Sequence, residues 1–170
     1  MRYRCTRCDK DHDGIPAFHA DRPLDYWNVP EDRRASDVLL TSDSCVIAGR
    51  FFFIRGLIEI PIIGSDEPLT WGVWVSLKEE NFFRWQEHYD VAKRSHIGPF
   101  FGWLSTQLPV YPDTQHLKTM VRLRDDGLRP RIELEPTEHP LSRSQREGIP
   151  MQAALEIVHQ VLDAEAAERT

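Results

Sequence analysis

The residues best suited to chemistry stand near the N-terminus. Cys5 and Cys8 are separated by two residues, His12 follows four residues later, and Cys45 arrives further along the chain. Two thiolates spaced in this way can grip one tetrahedral zinc ion from a single turn, and a second pair from elsewhere in the chain closes such a site. His12 and Cys45 can supply that pair, so the expected ligand set is Cys5, Cys8, His12 and Cys45, with zinc as a structural cofactor. Two other readings stay open. Cys45 can be a small buried hydrophobe in a strand, with Cys5 and Cys8 as reduced surface thiols. A redox Cys-x-x-Cys pair needs a helix start to lower its thiol pKa, and no βαβ pattern supplies one.

A second constellation is polar. Arg55 and Glu59 lie four apart in an extended segment, Lys118 and Arg122 project from another, and Glu133 and Glu135 from a third. If those strands are neighbours, the charges form one patch able to take a small anionic or zwitterionic ligand, with Arg55 holding an anion and Glu59 or Glu133 acting as base. On a solvated face the same residues would simply form cross-strand ion pairs. His139, between Glu138 and Pro140, has a carboxylate neighbour that could hold its tautomer for proton transfer, or it caps a turn. No serine or cysteine sits in a recognisable nucleophile motif to be its partner. Tyr111, Asp113 and Thr114 could line a pocket, although Asx-type bonding also accounts for Asp113. Trp71 and Trp85 fit apolar faces, whereas Trp74 points the other way by parity and is a candidate exposed anchor. The candidate ligand-binding residues are therefore Arg55, Glu59, Trp74, Arg122, Glu133 and His139.

The elements that must position these groups follow from periodicity. Cys45-Val46-Ile47-Ala48 and Phe51-Phe52-Phe53-Ile54 flank Gly49-Arg50 and suggest a hairpin. Residues 57–63 alternate, with Ile58, Ile60 and Ile62 on one face. Residues 69–77 alternate as clearly and bring Leu69, Trp71, Val73, Val75 and Leu77 together. Ser76 with Glu79 predicts a capping box and a helix from near Leu77 that ends by Gly98-Pro99, with Phe82, Trp85, Tyr89 and Ala92 as its apolar stripe. Strands over 117–124 and 130–135 are separated by an Asp126-Gly127 turn. Ser142 with Gln145 predicts a second capping box, and Met151, Leu155, Val158 and Leu162 form the apolar stripe of a C-terminal helix. Pro30 to Arg34 can open one short helix. Strands outnumber helices, so the expected fold is α+β: a mostly antiparallel sheet with two or three helices packed on one face and an N-terminal Cys-x2-Cys knuckle.

The 170 residues, with 41% hydrophobic and 28% charged, suit one globular domain with a real core. It divides into a turn-rich knuckle segment over 1–45, a sheet with one inserted helix over 45–135 and a helical region over 142–168. The formal charge of −6 argues against a nucleic-acid partner, whose phosphates need clustered Lys and Arg. No apolar run is long enough to cross a bilayer and the start lacks a signal-peptide core, so a cytoplasmic protein without membrane contact is expected.

Several ordered motifs share one pattern: Cys5-Thr-Arg-Cys8 with His12, Ser42-Asp43-Ser-Cys45, Phe53-Ile-Arg55-Gly56, Trp71-Gly72-Val-Trp74, and Phe101-Gly102-Trp103. Tyr111-Pro112-Asp113-Thr114, Arg129-Pro130 to Pro136, His139-Pro140-Leu141 and Gln145 continue it. Together, from about Cys5 to Met151, they resemble the bacterial domain of unknown function family 2199. The resemblance brings no activity, substrate or catalytic residue with it. Such sequences usually carry Gly after the second cysteine, where this chain has Asp9, which a left-handed turn accepts less readily.

Two readings of function follow. One is a non-enzymatic protein-binding or accessory module with a zinc-stabilised N-terminus. The other is a small enzyme or small-ligand-binding protein with a charged pocket on the polar face of the sheet. The zinc expectation is checked by metal content: about one zinc per chain, lost together with thermal stability in Cys5→Ser and Cys8→Ser, is expected. Metal-free protein prepared without chelator would contradict it.

Overall fold

The computed structural model describes residues 2–4 and 11–168. Its framework is the pairing of two long strands, β6 (Phe51–Ile60) and β7 (Leu69–Leu77), antiparallel over nine residue pairs from Phe52 opposite Leu77 to Ile60 opposite Leu69. Aromatic and β-branched residues predominate in both, as a pleated surface buried on each side favours. Ile54, Ile58, Ile60, Val73 and Val75 on one face are completely buried. The alternation expected over 57–63 and 69–77 places the right residues inward, but β6 runs unbroken from Phe51 through Ile60.

The other strands build outward from this pair. On the free edge of β7, β8 (Phe100–Leu104) pairs with Val75 to Leu77, and β3 (Phe18–His19) pairs in parallel with Trp71 and Gly72. β9 (Lys118–Arg122) follows β8, and β10 (Arg131–Leu134) follows β9, both antiparallel. β10 then returns to β6 in parallel, Arg131 opposite Leu57. Five strands, β6, β7, β8, β9 and β10, thereby close into a barrel. On the same edge of β6, ahead of β10, β5 (Ser44–Ile47) pairs with Phe51 to Ile54, and β4 (Val38–Leu40) extends the sheet beyond β5. β1 (Arg2–Arg4) and β2 (Asp11–Asp13) form a separate two-stranded ribbon.

The open sheet with helices on one face is thus corrected to a closed barrel with extra strands. Closure follows from the length of β6, whose ten residues accept two successive partners along one edge and remove edges that would otherwise need covering. At the seam, Gly56 lets the backbones meet: a Cβ there would lie 2.5 Å from Ile132 Cδ1 and 2.9 Å from the Pro130 carbonyl oxygen. The knuckle around Cys5 and Cys8 lies outside the described residues.

The helices are shorter than the sequence pattern suggests. A 3-10 turn spans Leu24–Asn28 and α1 spans Glu31–Asp37, as the Pro30 to Arg34 segment allows. α2 covers only Glu79–Glu87, with Lys78 at its N-cap and no side-chain cap; Ser76 ends up in β7, so no capping box forms. α3 (Pro140–Glu147) is capped by His139, and α4 (Met151–Glu168) follows. Ser142 and Gln145 are not a capping box either. The Ser142 hydroxyl donates to the Glu135 carbonyl at 2.8 Å, while Gln145 accepts from Leu134 N and donates to Ile132 O, both at 2.8 Å. They bind α3 to the end of β10. In α4 the inward positions are Ala154, Val158 and Val161, while Leu162 is exposed.

The main core takes in the barrel interior together with Phe82 and Trp85 of α2, Leu141 of α3 and the inward face of α4. A smaller cluster lies on the opposite face of β6 and β7, where Phe53 and Trp74 meet Val29, Cys45 and Ile47. No helix among the described residues is long and apolar enough to cross a membrane. Because close approach at the seam depends on the missing Cβ, Gly56→Ala should destabilise the protein by about 1–3 kcal/mol. Urea unfolding measures this, and an unchanged midpoint would contradict the close approach.

Candidate functional site

Along one edge of β6 the partner changes from the β5 side to the β10 side between successive hydrogen-bonding positions. The Arg55 amide donates to the Asp43 carbonyl at 2.9 Å, and two residues later the Leu57 amide donates to the Pro130 carbonyl at 2.8 Å. Asp43, just before β5, and Arg129, just before β10, therefore face each other across a notch. Arg129 Nε donates to Asp43 Oδ1 at 2.7 Å and bridges it. A cavity of about 210 Å³ occupies this place, lined by Asp43, Arg55, Trp85, Tyr89, Arg94, Gly127, Arg129 and Pro130.

Each wall has its own structural cause. Trp85 and Tyr89 reach the notch from the end of α2, one helical turn apart, with their rings packed edge to face at 5.3 Å. Gly127 and Asp126 both adopt positive φ in the turn between β9 and β10, as expected for Asp-Gly. Arg94 is 2% exposed and is spent on the scaffold. Its guanidinium donates to the carbonyls of Arg124, His88, Tyr89 and Leu128, and its amide to Asp125 Oδ1. Arg94 thus ties the segment after α2 to the β9–β10 turn and adds a buried positive charge.

Arg55 extends from the outer face of β6 over Trp74, its cross-strand neighbour, with its guanidinium carbon 5.5 Å from the ring centroid. The Ala20 carbonyl accepts from both Arg55 Nη2, at 2.6 Å, and Trp74 Nε1, at 2.9 Å. Arg55 Nε makes no hydrogen bond, and neither does the indole N–H of Trp85, a residue only 4% exposed. A buried donor left unsatisfied costs about 1–3 kcal/mol, so two of them around one cavity call for an acceptor.

The electrostatics favour the same conclusion. Three guanidiniums, Arg55, Arg94 and Arg129, face one carboxylate, although the whole chain carries −6. Burial pushes the Arg55 pKa down and the charge of Arg129 pushes it further, against the opposing pull of Asp21 and Asp43. Burial tends to raise the Asp43 pKa, but hydrogen bonds from Arg129, Ser42 and Tyr89 outweigh it and hold the carboxyl below its usual range. Burial and the bond to Asp43 push the Tyr89 phenol up. Both Asp43 oxygens already accept hydrogen bonds, and the other charged groups lining the cavity are the three guanidiniums.

The other polar candidates are placed elsewhere. Arg122 Nε lies 2.6 Å from Glu133 Oε2, and Glu59 lies 3.0 Å from Arg124 and 3.9 Å from Arg131. Lys118 pairs with Glu135 at 3.7 Å. These are cross-strand ion pairs on the outer barrel face. His139 caps α3: Nδ1 accepts from Leu141 N, which makes Nε2 the donor toward the Pro112 and Asp113 carbonyls at 3.2 Å. Trp74 has no exposed surface, which corrects its expected role as an exposed anchor; its outward face is covered by the Ala20 segment. Cys45 is also fully buried, and burial together with nearby Asp25 pushes its thiol up to about 11. Cys5 and Cys8 lie outside the described residues, as does the side chain of His12. Among the described residues no cluster of metal-ligating side chains is present.

A family model for uncharacterised proteins conserved in bacteria, domain of unknown function 2199, matches residues 4–149. The chain belongs to this family. No curated protein and no solved structure matches it. In this family member, Arg55 is the one candidate ligand residue that lines the notch; Asp43, Trp85, Tyr89, Arg94 and Arg129 were not singled out by sequence as ligands. Asp43 and Arg129 do stand in the motifs that carry the resemblance, and Trp85 and Tyr89 in the apolar stripe of the expected helix, but nothing local joins partners 86 positions apart.

The depressed pKa of Asp43 gives a signed expectation. A carboxyl with a lowered folded-state pKa adds stability above its unfolded value, near pH ~4, and loses it as pH falls through the folded value. Asp43→Asn should therefore melt below wild type at pH 7, and the gap should close on acidification below about pH 4. A gap that persists unchanged at pH 2 would contradict the charge-based account.

Proposed function

We propose that this protein binds a small anionic ligand, bearing a carboxylate or phosphate group, in the notch between β5 and β10. The observation that carries this reading is the pair of buried, unpartnered donors, Trp85 Nε1 and Arg55 Nε, around a cavity rich in guanidinium. At about 210 Å³ the space suits an inorganic oxyanion or a short carboxylate more than a drug-sized molecule, whose sites begin near ~300 Å³. Guanidinium groups match the planar, multidentate geometry of such anions, and a desolvated site strengthens each contact.

Binding rather than catalysis is the reading supported. Asp43 is held ionised and hydrogen-bonded on both oxygens, which leaves it a poor proton acceptor near neutral pH. Glu59 and Glu133, expected as possible bases, are engaged in ion pairs away from the notch. The expected non-enzymatic protein-binding module rested on the acidic surface and the absence of a catalytic signature, and Trp74, its candidate exposed anchor, is buried.

Calorimetric titration with phosphate, sulfate and succinate at low ionic strength tests the proposal. Saturable binding of at least one is expected, weakened about tenfold or more in Arg129→Gln and in Trp85→Phe. Absence of saturable binding, or equal affinity in the variants, would overturn it.

A further inference from the structure

A second hollow, of about 390 Å³, lies beside the first on the outer barrel face. Phe51, Phe53 and Trp103 wall it, and Asp25, Ser76, Ser105 and His116 supply its polar atoms. Phe53 and Ser76 are cross-strand partners on β6 and β7, and Ser76 is in turn opposite Trp103 of β8. The hollow is therefore built on three adjacent strands rather than on a loop. Phe101 packs edge to face against Trp103 at 5.2 Å and fixes its ring.

The charge in this hollow is the unusual feature. Asp25 is half-buried, and its Oδ2 accepts from the Ser105 hydroxyl at 2.6 Å. No cationic side chain pairs with it among the described residues. A carboxylate beside aromatic rings, with a hydroxyl but no cation as partner, offers a negative charge for a ligand cation to meet. Meanwhile Phe51 is 50% exposed and Trp103 42% exposed, so both aromatic walls keep surface open to solvent. Aromatic faces attract cations through their quadrupole, most strongly when water is excluded. Phe51 already receives one cation in this way, with the Arg50 guanidinium carbon 4.9 Å from its centroid.

We propose that the hollow of Phe51, Phe53, Trp103 and Asp25 is a binding site for an alkylated ammonium group. The rings surround the methyl-bearing face of the cation and Asp25 neutralises its charge. A simple apolar ligand would leave the carboxylate unpaired, and an anion would be repelled by it. The site is separate from the anion notch and does not rest on that reading: the two cavities share no lining residue.

Choline chloride and its neutral carbon isostere 3,3-dimethylbutan-1-ol, titrated calorimetrically into the full chain, give the test. Choline should bind saturably and the isostere about tenfold or more weaker, since only the cation gains from the rings and from Asp25. Trp103→Ala and Phe51→Ala, both at exposed positions, should each weaken choline binding severalfold with the melting temperature retained, and Asp25→Asn should weaken it about tenfold. A trimethyl-lysine peptide binding tighter than choline would assign the group to a protein side chain, and the reverse order to a free amine. Equal binding of choline and the isostere, no choline binding, or full affinity in Trp103→Ala would overturn the proposal.

Discussion

The change of partner along one edge of β6 is the constraint on which the remaining structure depends. β6 pairs antiparallel with β7 over nine residue pairs, and its other edge offers more hydrogen-bonding positions than β5 alone can fill. β10 takes up the remainder and closes the barrel, but it arrives in parallel while β5 leaves antiparallel. The notch lies where the two partners succeed each other, and Arg129 bridges it to Asp43.

Placing that notch near the end of α2 has an electrostatic consequence. Arg94 is buried among four carbonyl oxygens with no side-chain carboxylate on its guanidinium, so its charge is satisfied by hydrogen bonds but not cancelled. Arg55 and Arg129 add to the same region, and Asp43 offsets one of them. In a partly desolvated place such an excess is costly, and the oxyanion proposed for the notch would relieve it by joining donors that the protein leaves unfilled. Scaffold and site are thus the same residues: the contacts that hold the notch open also give it its positive potential.

The elements were largely legible in the sequence because their signals are local. Alternation over 69–77 identified the buried face of β7, and Asp126-Gly127 marked the turn before β10. Closure was not legible, since it depends on one parallel register between residues 57 and 131 that leaves no periodic trace. Capping boxes at Ser76 and Ser142 matched a pattern, yet tertiary demand prevailed: Ser76 was needed in a strand, and Ser142 and Gln145 were used to hold β10. Parity correctly turned Trp74 away from the barrel interior. It could not reveal that residues 20–29 cover that face too. Arg55 was visible as a candidate anion ligand, whereas its neighbours in the notch come from three distant segments and meet only after the barrel closes.

The central claim is that the notch presents Trp85 Nε1 and the guanidinium of Arg55 to an oxyanion, and an indole N–H spectrum tests it most directly. The chain has five tryptophans, each giving one resolvable indole signal, with that of Trp85 assigned through Trp85→Phe. On titration with phosphate at constant ionic strength, the Trp85 signal should shift downfield and saturate together with Arg55 Nε, while those of Trp27, Trp71 and Trp103 stay in place. A Trp85 signal that does not move, or indole shifts of equal size that never saturate, would contradict the account.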